Sequence, residues 1–144
     1  MTASSPPAKT DYIAVIIAYL SFIVLGMPGA MLGIAWTSEE WPSIQKTFNL
    51  GLDAVGMLFV TTTIGYSLAS IIGGRLFGRF NSSTLFLGGA LISALAYLAY
   101  AFMPSWWLIV FCGLFAGFGS GMLDSGMNIY FAAVFNARLM NWLH

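Results

Sequence analysis

Asp124 and Asn128 are a carboxylate and an amide one helical turn apart, set inside an apolar run that extends from 106 to 135. At about 100° per residue, Gly113, Gly117, Gly121, Asp124 and Asn128 fall on one face of a helix. A carboxylate there can exchange a proton or accept hydrogen bonds from a solute, and an amide can both donate and accept. Depth makes the pair informative. A charged side chain at the centre of a bilayer costs about 3 kcal/mol on insertion scales, so an acid at that depth marks a functional site by default. The plainer alternative is a buried acid satisfied by Asn128 and the helix backbone, with Asn128 bridging helices. Gly113, Gly117 and Gly121 are expected to serve packing, because small residues let helices approach closely in lipid.

No second constellation competes with this one. The chain has no nucleophile–base pair, no metal-ligand spacing and no phosphate loop. Gly117-x-Gly119-x-Gly121 resembles part of a nucleotide fingerprint but lies inside a membrane helix with no strand before it. An enzyme, a cofactor and a metal are therefore not expected. Formal net charge is zero, which offers nothing to nucleic acid, and the single Cys112 cannot form an intrachain disulfide.

The elements that must position Asp124 are hydrophobic helices. Hydrophobic residues make up 59% of the chain and charged residues 7%, against about 25% charged in soluble proteins. The sequence is that of an integral membrane protein whose main partner is lipid. After a polar tail over 1–12, the spacing predicts spans over 13–36, 54–76, 84–103 and 106–135, joined by loops over 37–53 and 77–83. A link and the start of a fifth helix occupy 136–144. The first run exceeds the apolar core of a signal peptide, which is about 7–15 residues, so it is read as a retained span. Pro28 is expected to kink it, and Gly26, Ala30 and Gly33 offer a small-residue stripe to a neighbour. Trp36 and Trp41 are expected at headgroup level, 42–48 as a short helical turn there, and Asp53 as the N-cap of the second span. That span carries Thr61, Thr62 and Thr63, expected to bond back to their own helix, and a ridge of Gly65, Ala69 and Gly73. Tyr97 and Tyr100 lie toward the far end of the third.

Basic residues give the orientation. Lys9, Arg75, Arg79 and Arg138 fall on one side of the weave and Lys46 on the other. This bias places the N-terminus in the cytoplasm, with the protein in the cell (inner) membrane.

Three stretches carry a family resemblance: Gly26-Met27-Pro28-Gly29 with Trp41-Pro42-Ser43-Ile44; Gly74-Arg75-Leu76-Phe77-Gly78-Arg79-Phe80-Asn81; and Asp124-Ser125-Gly126-Met127-Asn128 with Met140-Asn141-Trp142-Leu143-His144. On these residues the chain resembles the first third of a major facilitator superfamily transporter, in the fucose-permease-like branch of solute carriers. The second stretch sits where that superfamily places its G-x-x-x-D-R-x-G-R-R loop. Gly74 and Arg79 match it, Gly78 replaces the acid, and Asn81 replaces the second glycine, a position asparagine tolerates because it visits left-handed backbone more readily than most residues.

The resemblance implies twelve helices in two halves, with solute held between them and carried by alternating access. It casts Asp124 and Asn128 as the solute- or proton-coupling pair, and Gly74, Arg75 and Arg79 as a gating loop. Arg75 and Arg79 also read as plain topology determinants. On this reading the chain is the incomplete amino-terminal part of a secondary transporter for a small organic solute, sugars among them, with protons as coupling ion. Its remaining partner is the missing C-terminal helices of the same protein. The alternative is a self-contained four-helix membrane protein, either a small dimeric exporter or a non-transporting scaffold. The nucleotide sequence beyond His144 separates the two.

Overall fold

The structure is a computed structural model that describes residues 12–39 and 42–134. It is all helical, with no strand among the described residues. Four long helices run through it: α1 (Tyr12–Thr37), α3 (Val55–Phe77), α4 (Ser82–Phe102) and α5 (Trp106–Val134). A single helical turn, α2 (Ile44–Thr47), and a 3-10 turn at Leu52–Ala54 lie between α1 and α3. Stretches 52–76, 83–102 and 106–130 are long and apolar enough to cross a membrane. α1, 26 residues without a charge, is about 39 Å long at 1.5 Å per residue. Large apolar side chains point outward along these helices, with Ile71 75% and Phe102 78% exposed. Faces this apolar belong against lipid.

α5 is the central element. It packs along α3 on one side and α4 on the other, while α3 and α4 barely meet. Half of its membrane-crossing stretch is buried, against 17% in α3 and 22% in α4. Glycine makes this possible. A Cβ on Gly117 would overlap the Thr62 carbonyl, and one on Gly65 would overlap the Leu114 carbonyl, so the α3 and α5 backbones touch. Gly119 meets Ser93 and the Gly89 carbonyl of α4 in the same way.

Local chemistry sets the helix ends, and several depart from expectation. Ser43 is buried and caps α2 by accepting from the Lys46 N–H at 3.2 Å. Asn49, at φ 51°, turns the chain away just after α2, a conformation asparagine tolerates at helix ends. Asp53 does not cap α3: the N-cap is Ala54, with no side-chain bond, and Asp53 sits within the preceding 3-10 turn. Asn81 is not left-handed. It is extended (φ −64°, ψ 137°) and caps α4 by accepting from the Ser83 N–H. The link between α3 and α4 is therefore shorter than the expected loop. α4 ends at Met103 (ψ 124°), because the residue before Pro104 is pushed out of helical conformation.

Trp36, expected at headgroup level, is turned inward: it is 3% exposed and packs on Trp106 at a centroid distance of 5.3 Å, within a cluster that includes Leu58 and Ile109. This cluster, closed over by Ile44 and Phe48 of the α2 segment, fastens the end of α1 to α5. Gly26 and Gly33 have no neighbour within reach of a Cβ, so the small-residue stripe meets no helix among the described residues. Helix α1 continues through Pro28. Thr61 and Thr62 bond to the Leu58 carbonyl at 3.1 and 2.7 Å, as expected of threonines in a membrane helix. Trp41, Arg138 and the start of a fifth helix lie outside the described residues.

Candidate functional site

The site begins with the α3–α5 seam. Gly113 faces Leu58, Thr61 and Thr62; Gly117 faces Thr62; Gly121 faces Tyr66 and Ala69. Gly113, Gly117 and Gly121, grouped by helical periodicity with Asp124 and Asn128, thus lie on the face that packs on α3. At its end the Tyr66 hydroxyl of α3 donates to Asp124 Oδ2 at 2.5 Å. The Asn128 amide nitrogen donates to the same oxygen at 3.4 Å, while Asn128 Oδ1 is buried without a partner. Asp124 is partly buried among these groups, and no ion pair reaches it among the described residues.

Tyr66 is the residue that sequence reasoning missed. Its signal was present in Thr62, Tyr66 and Ser70, a polar stripe at four-residue spacing along an otherwise apolar helix. Nothing in the sequence indicated that the stripe would meet Asp124.

The loop residues fall elsewhere. Gly74, Arg75 and Arg79 are exposed near the end of α3, with nothing in reach of a Cβ on Gly74. They are not brought to Asp124.

A second feature opens on the side of α5 facing α1. A cavity of about 650 Å³ is lined by Pro28, Leu32, Leu58, Thr62, Tyr97 and Tyr100, among others. A neighbouring one of about 490 Å³ shares Pro28 and Tyr97 and adds Ser93, Ser120 and Met127. Tyr97 and Tyr100 stand edge to face at 5.8 Å, and the Tyr97 hydroxyl lies 3.5 Å from Ser120 Oγ. Neither Asp124 nor Asn128 lines these cavities. α5 therefore has one face carrying the carboxylate against α3 and another carrying hydroxyls and apolar groups toward α1. Among the described residues, no three His, Cys, Asp or Glu side chains gather where they could hold a metal.

Apolar helices packed backbone to backbone through glycine, three of them long and apolar enough to cross a bilayer, define a multi-pass membrane protein. The sequence profile of the Major Facilitator Superfamily matches residues 12–140, and the chain belongs to that family. It is 30% identical over 134 residues to Bypass of stop codon protein 6 of Saccharomyces cerevisiae, covering 90% of this chain and 26% of that protein. It is 24% identical over 129 residues to Sodium-dependent glucose transporter 1 of Rattus norvegicus, covering 89% of this chain and 26% of the relative. The chain thus spans about a quarter of the length of the curated relatives it matches. No solved structure matches it significantly.

Proposed function

We propose that this chain is the amino-terminal part of a secondary active transporter that moves a small organic solute, with sugars the favoured class, by alternating access. The observation that carries the proposal is Asp124, an acid within a helix long and apolar enough to cross a membrane, held by Tyr66 and Asn128 with no cation beside it among the described residues. An idle charge in that position is costly, and proton coupling gives it work to do. Family membership supports transport over catalysis, and the similarity to a protein named as a glucose transporter supports a sugar. The hydroxyls and paired tyrosine rings on the α1-facing side suit an uncharged polyhydroxylated solute. Gly74, Arg75 and Arg79 are proposed to act in the loop that gates the cycle, from their place at the end of α3.

The test uses the complete reading frame that contains this chain, reconstituted in vesicles and offered a panel of radiolabelled hexoses under an imposed proton gradient. Asp124→Asn is expected to abolish accumulation while leaving exchange of solute already on both sides, because an amide keeps size and polarity but cannot cycle charge. Undiminished gradient-driven accumulation by a normally expressed Asn variant overturns the coupling role. A stop codon directly after His144 would favour the self-contained four-helix alternative.

A further inference from the structure

We propose that Tyr66 is the positioning residue of Asp124, and that their hydrogen bond is a proton-sensitive tie between α3 and α5; this deepens the coupling role assigned to Asp124 and rests on it. Three observations carry it. The bond is a side-chain connection between the two helices made at the acid itself, with Tyr66 as donor. It lies at the end of a seam where the other contacts, at Gly113, Gly117 and Gly121, are close packing without polar bonds. Asn128 donates to the same carboxylate oxygen at 3.4 Å while its Oδ1 is left buried and unsatisfied among the described residues, so this small polar site has an acceptor to spare.

The charge state of Asp124 decides how strongly Tyr66 is held. A carboxylate accepts charge-assisted bonds roughly twice as strong as neutral ones. Protonation removes that advantage, and the new hydroxyl proton can turn to Asn128 Oδ1, the free acceptor one helical turn away. Taking up one proton thus weakens the bond that crosses the seam and strengthens one that stays within α5. Among the described residues, α1 and α4 carry no charged side chain, α3 reaches the carboxylate through Tyr66, and Tyr97 and Tyr100 of α4 face Ser120 and each other. Cys112 lies three turns away along α5.

The test reads the α3–α5 distance directly. In the complete carrier, with Cys112 and any other cysteine replaced by serine, spin labels are placed at Ile71→Cys and Ile129→Cys, both on exposed faces. Pulsed electron resonance then follows their separation in lipid nanodiscs across pH. The parent protein is expected to show one step of about 1–2 Å, the size of ordinary helix shifts. Asp124→Asn and Tyr66→Phe are each expected to abolish the step. A step retained in Tyr66→Phe overturns the tie while leaving Asp124 as the titrating group; a step retained in Asp124→Asn overturns the coupling reading as well. If Tyr66→Phe does not fold, 4-aminophenylalanine at position 66 keeps a donor in place and is expected to keep the step. O-methyltyrosine there has no donor and is expected to lose it. Equal behaviour of these two overturns the proposal.

Discussion

Tyr66 and Asp124 stand 58 positions apart in the chain and are joined by one hydrogen bond across the seam between α3 and α5. Its size limits what it can do. Interhelical hydrogen bonds in membrane proteins contribute about 0.6 kcal/mol on average and about 1.7 at most. That is too little to hold two long helices together and enough to bias a choice between two arrangements. The holding falls to the glycine contacts, where the two backbones meet without side chains between them.

This division gives a stability prediction. Gly117→Ala is expected to destabilise the bundle by about 1–3 kcal/mol, the range for overpacking a filled site, because the added methyl group meets the Thr62 carbonyl, which belongs to backbone and cannot rotate away. Gly26→Ala, in open space on α1, is expected to change stability by less than about 0.5 kcal/mol. Thermal unfolding in detergent, followed by circular dichroism, ranks the two. Equal effects would show that the seam is not the main support.

The face of α5 was legible in the sequence because helical periodicity is indifferent to what a helix packs on. Gly113, Gly117, Gly121, Asp124 and Asn128 needed only their spacing to be grouped. Their partner was not legible, since which of the apolar helices meets that face depends on contacts between residues about 50 positions apart. The partner of Trp36 was hidden for a related reason: tryptophan near a span end suits an interface whether or not it meets another ring, and the contact depends on where Trp106 falls. Asp53 was a plausible cap by residue type but falls inside a 3-10 turn that has already begun. Asn81, expected only to tolerate left-handed backbone, instead caps α4 because Ser83 presents its N–H to the side chain.

The orientation of the bundle, proposed from its basic residues, is tested by labelling. Ser43 is buried under α2, which makes it a poor probe position in spite of lying in the loop. Lys46→Cys and Ser83→Cys are better, as both positions are exposed. In intact cells, an impermeant maleimide is expected to label the first and miss the second until the membrane is opened. Labelling of Ser83→Cys alone would invert the proposed topology.

The last prediction concerns the contact that fastens α1. Trp36 and Trp106 are both buried and their rings meet at 5.3 Å, tilted by 57°. Aromatic pairs that avoid a face-to-face sandwich contribute about 0.5–1.5 kcal/mol beyond the area they bury. Trp36→Ala and Trp106→Ala are each expected to cost about 3–5 kcal/mol, the range for deleting a large buried ring. The double variant is expected to cost less than their sum by roughly the pair energy, because the second deletion removes a contact already lost. Trp36→Phe discriminates further. The Trp36 Nε1–H is buried with no acceptor among the described residues, so phenylalanine removes an unsatisfied donor and offsets part of the volume it gives up. Its cost is therefore expected to fall well below that of Trp36→Ala. A Phe variant as damaged as the Ala variant would mean that the indole N–H has a partner in the membrane-embedded protein, supplied by lipid or by another helix.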